Sequence, residues 1–300
     1  MAQPTRGNRP TMQPMDTPAS LSLPSGHEVP ALGLGTWRMG ESRTKRNHEL
    51  DALRSALELG YRAFDTAEMY AEGGAEELLG EALAQALRGT ISRDRLFIVS
   101  KVYPHNASAQ GVLAACERSR RRLQLDHIDL YLLHWRGDVP LRQTVEGFEW
   151  LQQLGWIRHW GVSNFDLDDM QQLMAVPGGG ACSANQVWYS LSRRGVEFDL
   201  LPWQRTRQMP LMAYSPIDQG ALAAHAGLKR LADSVGATPS QLALARLLAE
   251  PGVMVIPKST DLARLRENFD ATALTLDAAV RQQIDAMFAP PTRRVPLAVG

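Results

Sequence analysis

From residue 31 onward two patterns alternate along the chain. Short apolar runs occupy residues 31–35, 63–65, 96–100, 128–134, 157–162, 183–187, 211–214 and 253–256. Between them lie longer stretches whose apolar positions recur with a helical period. Over residues 47–59, for example, Leu50, Leu53, Ala56 and Leu57 share one face, and residues 112–123 behave alike. Thr238-Pro239-Ser240-Gln241 carries a helix start, with Thr as N-cap, Pro in the first turn and Gln three residues on. Short, fully apolar strands separated by helices mean parallel strands covered by helices. Eight such units in one chain predict a (β/α)8 barrel. The competing layout is an open doubly wound sheet. Its dinucleotide-binding form would place GxGxxG after the first strand, whereas Gly33-Leu34-Gly35-Thr36-Trp37-Arg38 lacks the third glycine, so no Rossmann domain is expected. Ahead of the first barrel strand, residues 21–23 and 28–29 flank Pro24-Ser25-Gly26. They predict a hairpin with a type I turn that closes the N-terminal mouth. Residues 276–288 predict an added helix; 73–74 and 178–180 read as loops and 286–300 as a tail. Residues 1–20, rich in Pro, Met and Thr, read as a disordered leader before a single domain over 21–300.

Composition narrows the function. The chain has 300 residues, with 32 Lys+Arg against 32 Asp+Glu. This balance lacks the basic field that nucleic-acid and membrane-surface proteins use. Two cysteines, Cys116 and Cys182, fit a reducing compartment. No HEXXH or CxxC motif is present, so no metal site is expected. There is neither a signal peptide nor an apolar run of membrane-spanning length, and the expected location is cytoplasmic.

In such a barrel the chemistry sits at the carboxyl ends of the strands. Those ends carry Asp65, Lys101, His134, Ser163-Asn164, Gln186, Tyr214-Ser215 and Lys258-Ser259. Each alone reads more readily as a loop or structural residue. Seven in succession converging on one mouth read as an active site. Asp65 and Lys101, on adjacent strands, can pair, and Tyr70 on the following loop can fold back over them. A free phenol has a pKa of about 10; a nearby ammonium favours phenolate and would lower it. His134 can serve the other side of the same phenol. A tuned tyrosine acid facing a carbonyl oxygen is what carbonyl reduction needs, and the hydride must come from a cofactor. In residues 256–264, Lys258 and Arg264 flank Ser259 and Thr260 at a helix start, a place for a phosphate. The same residues also read as an ordinary capped helix with surface cations. Tyr214 offers a flat face for a nicotinamide, and Gln186, Ser163 and Asn164 offer bonds to its carboxamide.

On these residues the sequence closely resembles the aldo/keto reductase superfamily. The resemblance runs from about Leu21 to Phe288. It is carried by the segment from Gly60 to Tyr70 (GYRAFDTAEMY), by Leu130 to Trp135 (LYLLHW), by Gly161-Val162-Ser163-Asn164-Phe165, by Tyr214-Ser215-Pro216, and by Ile256-Pro257-Lys258-Ser259 with Arg264, Glu267 and Asn268. It implies a (β/α)8 barrel and NADPH-dependent reduction of aldehydes or ketones. It implies Tyr70 as acid with Lys101, Asp65 and His134, and nicotinamide contacts from Ser163, Asn164, Gln186 and Tyr214, with Trp37 nearby. Ser215 and Ile217 would line the diphosphate path. Lys258, Ser259 and Arg264 would hold the 2′-phosphate, and Glu267 and Asn268 the adenine. The stretches DTAEMYAEGGA (65–75), SKVYPHN (100–106) and LLPW (200–203) are similar to bacterial reductases active on methylglyoxal. His105 stands where that branch has Trp. Trp37, His105 and Trp135, with Trp188, would wall the substrate pocket or simply pack the barrel rim. Asp261 departs from the pattern: it favours a helix start but repels a 2′-phosphate. The partner implied is a small carbonyl compound, and the assembly a monomer or weak homodimer. Two other readings use the same residues: a non-catalytic module that senses nicotinamide redox state, and a lyase with Lys101 as Schiff base.

Overall fold

The computed structural model describes residues 20–89 and 91–300. Ser20 already belongs to the first strand, so the leader expected over 1–20 otherwise lies outside the described residues. Strands β1 (Ser20–Ser22) and β2 (Glu28–Pro30) form an antiparallel hairpin in which Leu21 faces Val29. Its turn closes by a bond from Gly26 N to Leu23 O of 2.8 Å, with Gly26 at φ 81°.

Eight parallel strands follow: β3 (Gly33–Gly35), β4 (Ala63–Asp65), β5 (Phe97–Val102), β6 (Ile128–Leu133), β7 (Ile157–Ser163), β8 (Asn185–Trp188), β9 (Leu211–Tyr214) and β10 (Val253–Ile256). They lie side by side in chain order. The sheet closes on itself: Val255 N donates to Ala31 O at 2.8 Å and Gly35 N to Pro257 O at 3.1 Å. The expected (β/α)8 barrel with its N-terminal hairpin is therefore what the chain forms, and the described residues contain no Rossmann unit. Helices α1 (Arg46–Leu59), α2 (Gly74–Leu87), α3 (Ala109–Leu123), α4 (Leu141–Gln153), α5 (Leu167–Ala175), α6 (Leu200–Arg205), α8 (Pro239–Leu248) and α9 (Leu262–Asp270) alternate with the strands. Two helices are extra, α7 (Ala226–Val235) and α10 (Ala278–Met287). The second is the helix expected over 276–288. Thr238 caps α8 with the reciprocal Gln241 bond that its sequence predicts.

The strands place the site through their two-residue period. Inside the barrel, Ala63, Phe97, Val99, Leu130, Leu132, Ala184, Met212, Met254 and Ile256 form one apolar cluster, and Leu23 and Val29 of the hairpin close it from below. Outward residues such as Phe64, Ile98, Tyr131, Trp160 and Val162 pack against the helices. Adding two to each inward position at the top of the barrel gives Asp65, Lys101, His134, Gln186, Tyr214 and Lys258. The polar residues at the strand ends are thus the next inward layer above an apolar floor. Gly161 lets the strands close beneath them, because a Cβ there would lie 2.4 Å from Ala184 O and 2.9 Å from Leu132 Cδ2.

Candidate active site

Lys101 is fully buried, and its Nζ is shared among three oxygens. It donates to Asp65 Oδ2 at 2.7 Å, to Thr66 O at 2.8 Å and to Tyr70 Oη at 3.3 Å. The Asp65–Lys101 pair and the fold-back of Tyr70 agree with the sequence; the Thr66 carbonyl is a third partner that side-chain patterns do not show. The other oxygen of Asp65 accepts from Gln186 Nε2 at 2.7 Å. Asp65 is therefore held on both sides and Lys101 is kept as an ammonium, because a buried charge without partners would neutralise.

Tyr70 accepts from Lys101, so its own hydroxyl proton points to no residue among those described. Burial pushes its pKa well above the ordinary phenol value, and the Asp65 charge adds to this. That corrects the expectation of a lowered pKa: loss of water around the phenol outweighs the neighbouring ammonium. Tyr70 stays protonated in the resting site. Burial likewise lowers Lys101, with Asp65 opposing.

His134 meets Tyr70 edge-on, with ring centroids 5.7 Å apart. No hydrogen bond joins them, and His134 Nδ1 has no partner in the described structure. Burial, reinforced by Lys101, lowers its pKa well below the usual value, so the imidazole is neutral. Asn164, at φ 60°, donates from Nδ2 to His134 O at 3.1 Å and to Ser163 Oγ at 3.2 Å, and its Oδ1 accepts from Tyr214 Oη at 2.9 Å. Ser163, Asn164, Gln186 and Tyr214 are thus brought together, and Tyr214 also packs against the barrel interior. Ser215 follows at φ 48°, and Ile217 packs on the core.

The rim is aromatic. Tyr103 lies against His105, with ring centroids 4.5 Å apart and the planes tilted by 35°, and meets Trp135 edge-on at 5.4 Å. Tyr103 was not singled out by the sequence. Nor was buried Glu68, which fixes this rim by accepting from Tyr103 N and Asn106 Nδ2, both at 2.9 Å, and from Arg118 at 3.0 Å. Trp37 is exposed beneath the Arg38 guanidinium. Trp188 lies apart from that wall, beside Tyr214.

At the β10 end, Lys258 is half-buried, Ser259 buried and Arg264 exposed. Asp261 is the N-cap of α9 and accepts from Arg264 N at 3.0 Å. Ser259 Oγ accepts from Asp261 N at 3.1 Å. Asn268 is buried, whereas Glu267 is engaged by Thr238 Oγ1 at 2.5 Å.

The model of the aldo/keto reductase family matches residues 31–289. The chain belongs to the aldo/keto reductase family. Methylglyoxal reductase YeaE of Escherichia coli K12 is 44% identical over 274 residues, spanning 90% of this chain and 94% of that protein. Glyoxal reductase of Bacillus subtilis 168 is 32% identical over 268 residues, spanning 89% and 92%. The crystal structure of an aldo/keto reductase from Klebsiella pneumoniae in complex with NADP and acetate superposes with a TM-score of 0.89. It is 44% identical, and the match covers 94% of this chain and 99% of that one.

Within this aldo/keto reductase, no helix of the described residues is long and apolar enough to cross a membrane, and these residues hold no cluster of metal-ligating side chains.

The neutral state of His134 gives a pH prediction. At pH 6.5 an ordinary histidine is about half protonated. His134 is expected to be neutral there by ¹⁵N NMR, and an imidazolium signature at that pH would contradict the site as described. Because the unfolded chain takes up this proton and the folded chain does not, His134 lowers stability as pH falls through about 6.5.

Proposed function

We propose that this protein reduces small carbonyl compounds, α-ketoaldehydes of the methylglyoxal kind foremost, with NADPH as cofactor. The observation that carries the reading is the Asp65–Lys101–Tyr70 chain, which ends in a phenol whose proton is unengaged. Beside it stands a matched donor and acceptor. Ser163 Oγ accepts from Asn164 and its hydroxyl proton has no described partner. Gln186 Nε2 is bound to Asp65, and its Oε1 has no described partner. A donor and an acceptor side by side fit a carboxamide, and the Tyr214 ring supplies a flat apolar face next to them.

In this reading Trp37, Ser163, Asn164, Gln186 and Tyr214 hold the nicotinamide, and Ser215 and Ile217 follow the diphosphate. Lys258, Ser259 and Arg264 take the 2′-phosphate, and Glu267 and Asn268 the adenine. When bound, the reduced nicotinamide supplies a hydride to the carbonyl carbon. Tyr70 gives its proton to the carbonyl oxygen as negative charge gathers there. The phenolate so formed lies against the Lys101 ammonium, which stabilises it at the moment it appears. Asp65 holds that ammonium in place. Neutral His134 faces the same oxygen without competing for the proton. Trp37, His105 and Trp135 wall the substrate. The names of the Escherichia coli and Bacillus subtilis relatives support the substrate class. Residues 21–300 then act as one soluble catalytic domain, cytoplasmic and monomeric or weakly dimeric.

Tyr70→Phe tests the acid. It should lower turnover of methylglyoxal, a small aromatic aldehyde and an aldose by about a hundredfold or more, with NADPH affinity changed less than about twofold. Activity close to wild type would remove Tyr70 from that role. Absent turnover in the wild type, with NADPH still bound, would favour the redox-sensing module.

Asp261 tests the cofactor end. Its carboxylate occupies the helix start where a 2′-phosphate would sit, and one full charge at close range in water is worth about 1 kcal/mol. Asp261→Asn keeps the cap. By calorimetry at low salt it should bind NADPH about fivefold more tightly and NADH unchanged. Equal affinities before and after would show that Asp261 is remote from the phosphate.

A further inference from the structure

Residues beyond α10, read from the sequence as a tail, run back over the carboxyl end of the barrel. Ala286 and Met287 still belong to α10. Arg294 then sits among three carboxylates. Its Nη2 is 3.0 Å from Asp168 Oδ2 and 3.4 Å from Asp166 Oδ2, and its Nε is 3.1 Å from Asp199 Oδ2. Asp166 and Asp168 open α5, and Asp199 caps α6. Among the described residues these three acids have no other cation within salt-bridge distance; neighbouring Asp169 is taken by Arg136.

Past Arg294 the segment is seated on the barrel. A Cβ on Gly195 would lie 2.6 Å from Val295 Cγ2, and Leu297 packs on the core. A Cβ on Gly300 would lie 3.0 Å from Trp188 Cζ3 and 3.8 Å from Tyr214 Cε2. Beneath the segment is a cavity of about 290 Å³ lined in part by Leu167, Trp188, Val196 and Leu297.

Two routes therefore lead from one guanidinium to one hydrogen bond. Through Asp166 it reaches Asn164, two residues earlier. Through residues 295–300 it reaches Trp188 and Tyr214. Tyr214 Oη and Asn164 Oδ1 are bonded to each other at 2.9 Å. We propose that Arg294 is a positioning residue for the nicotinamide platform, latching residues 294–300 so that Tyr214 and Asn164 are held from outside. The proposal rests on the reading that Tyr214 and Asn164 receive the nicotinamide.

Arginine suits this place because its planar fork presents donors in fixed, widely separated directions, here Nη1 and Nη2 to the α5 acids and Nε to Asp199, whereas a lysine offers one compact point charge. Single exposed pairs are weak, but one cation shared by three acids is a network. Without it, three like charges on two helix starts repel one another and no longer hold residue 294. The Arg294 side chain is 43% exposed, so salt screens the latch.

The test follows NADP⁺ release by tryptophan fluorescence, at low and high salt, in wild type, Arg294→Gln, Arg294→Lys, Asp168→Asn and Tyr214→Leu. Hydrogen exchange over residues 289–300 is read in parallel. Arg294→Gln should release NADP⁺ about fivefold faster at low salt and lose protection over that segment. Arg294→Lys and Asp168→Asn should fall between it and wild type, and high salt should bring wild type towards Arg294→Gln. The 2′-phosphate contributes its own salt dependence to all variants, so the difference between wild type and Arg294→Gln is the measured quantity. Unchanged release with the same salt response in Arg294→Gln and Asp168→Asn overturns the latch, provided Tyr214→Leu weakens binding. If Tyr214→Leu binds NADP⁺ like wild type, the platform reading itself fails.

Discussion

The site depends on one buried ion pair. Asp65 and Lys101 lie with almost no solvent between β4 and β5, at 2.7 Å. Two charges taken out of water are costly unless each is fully bonded. Here they are: Gln186 completes Asp65, while Thr66 O and Tyr70 complete Lys101. Satisfying that requirement draws residues from β4, β5, β8 and the loop after β4 to one point. Tyr70 is placed by this as much as by its own loop. The same ammonium that accounts for Tyr70's position also favours the phenolate that proton donation would leave behind.

The barrel makes such a pair available through its strand period. The uppermost inward apolar residue of each of β4, β5, β6, β8, β9 and β10 is followed two positions later by a polar one, so Val99 precedes Lys101 and Leu132 precedes His134. Below, the interior is apolar; above, it is polar. The hairpin at the opposite end seals the floor with Leu23 and Val29. The charged layer is therefore open to water on one side only, where substrate and cofactor would enter. Burial then sets the protonation states, holding Tyr70 as phenol and His134 as neutral imidazole.

Much of this was legible in the sequence. Residues 63–65, 211–214 and 253–256 match their strands, because short apolar runs that stop at a polar residue or before a proline leave little choice of boundary. The Thr238 cap and the added helix after residue 276 were equally plain. Other features depend on contacts between distant segments, for which a local pattern carries no signal. The Thr66 carbonyl on Lys101 is a backbone atom. Glu68 looks like one more surface acid until Tyr103, Asn106 and Arg118 converge on it. Residues 289–300 have no periodicity, so nothing local shows them folding back through Arg294. The Tyr70 pKa departs from the sequence expectation because the ammonium is visible in sequence and the loss of water is not. Asp261 was placed correctly near the helix start, but only the structure shows its carboxylate bonded to Arg264 N.

The claim that the Asp65–Lys101 pair organises the chemistry, more than the binding, is tested most directly by Lys101→Met. The variant keeps much of the stem but removes the charge, and Asp65 keeps its bond to Gln186. NADP⁺ affinity and turnover are measured on the same folded sample, with folding checked by circular dichroism. The account predicts affinity within about threefold of wild type and turnover lower by about a thousandfold, the loss of both the phenolate partner and the Tyr70 anchor. Turnover within tenfold of wild type would contradict it.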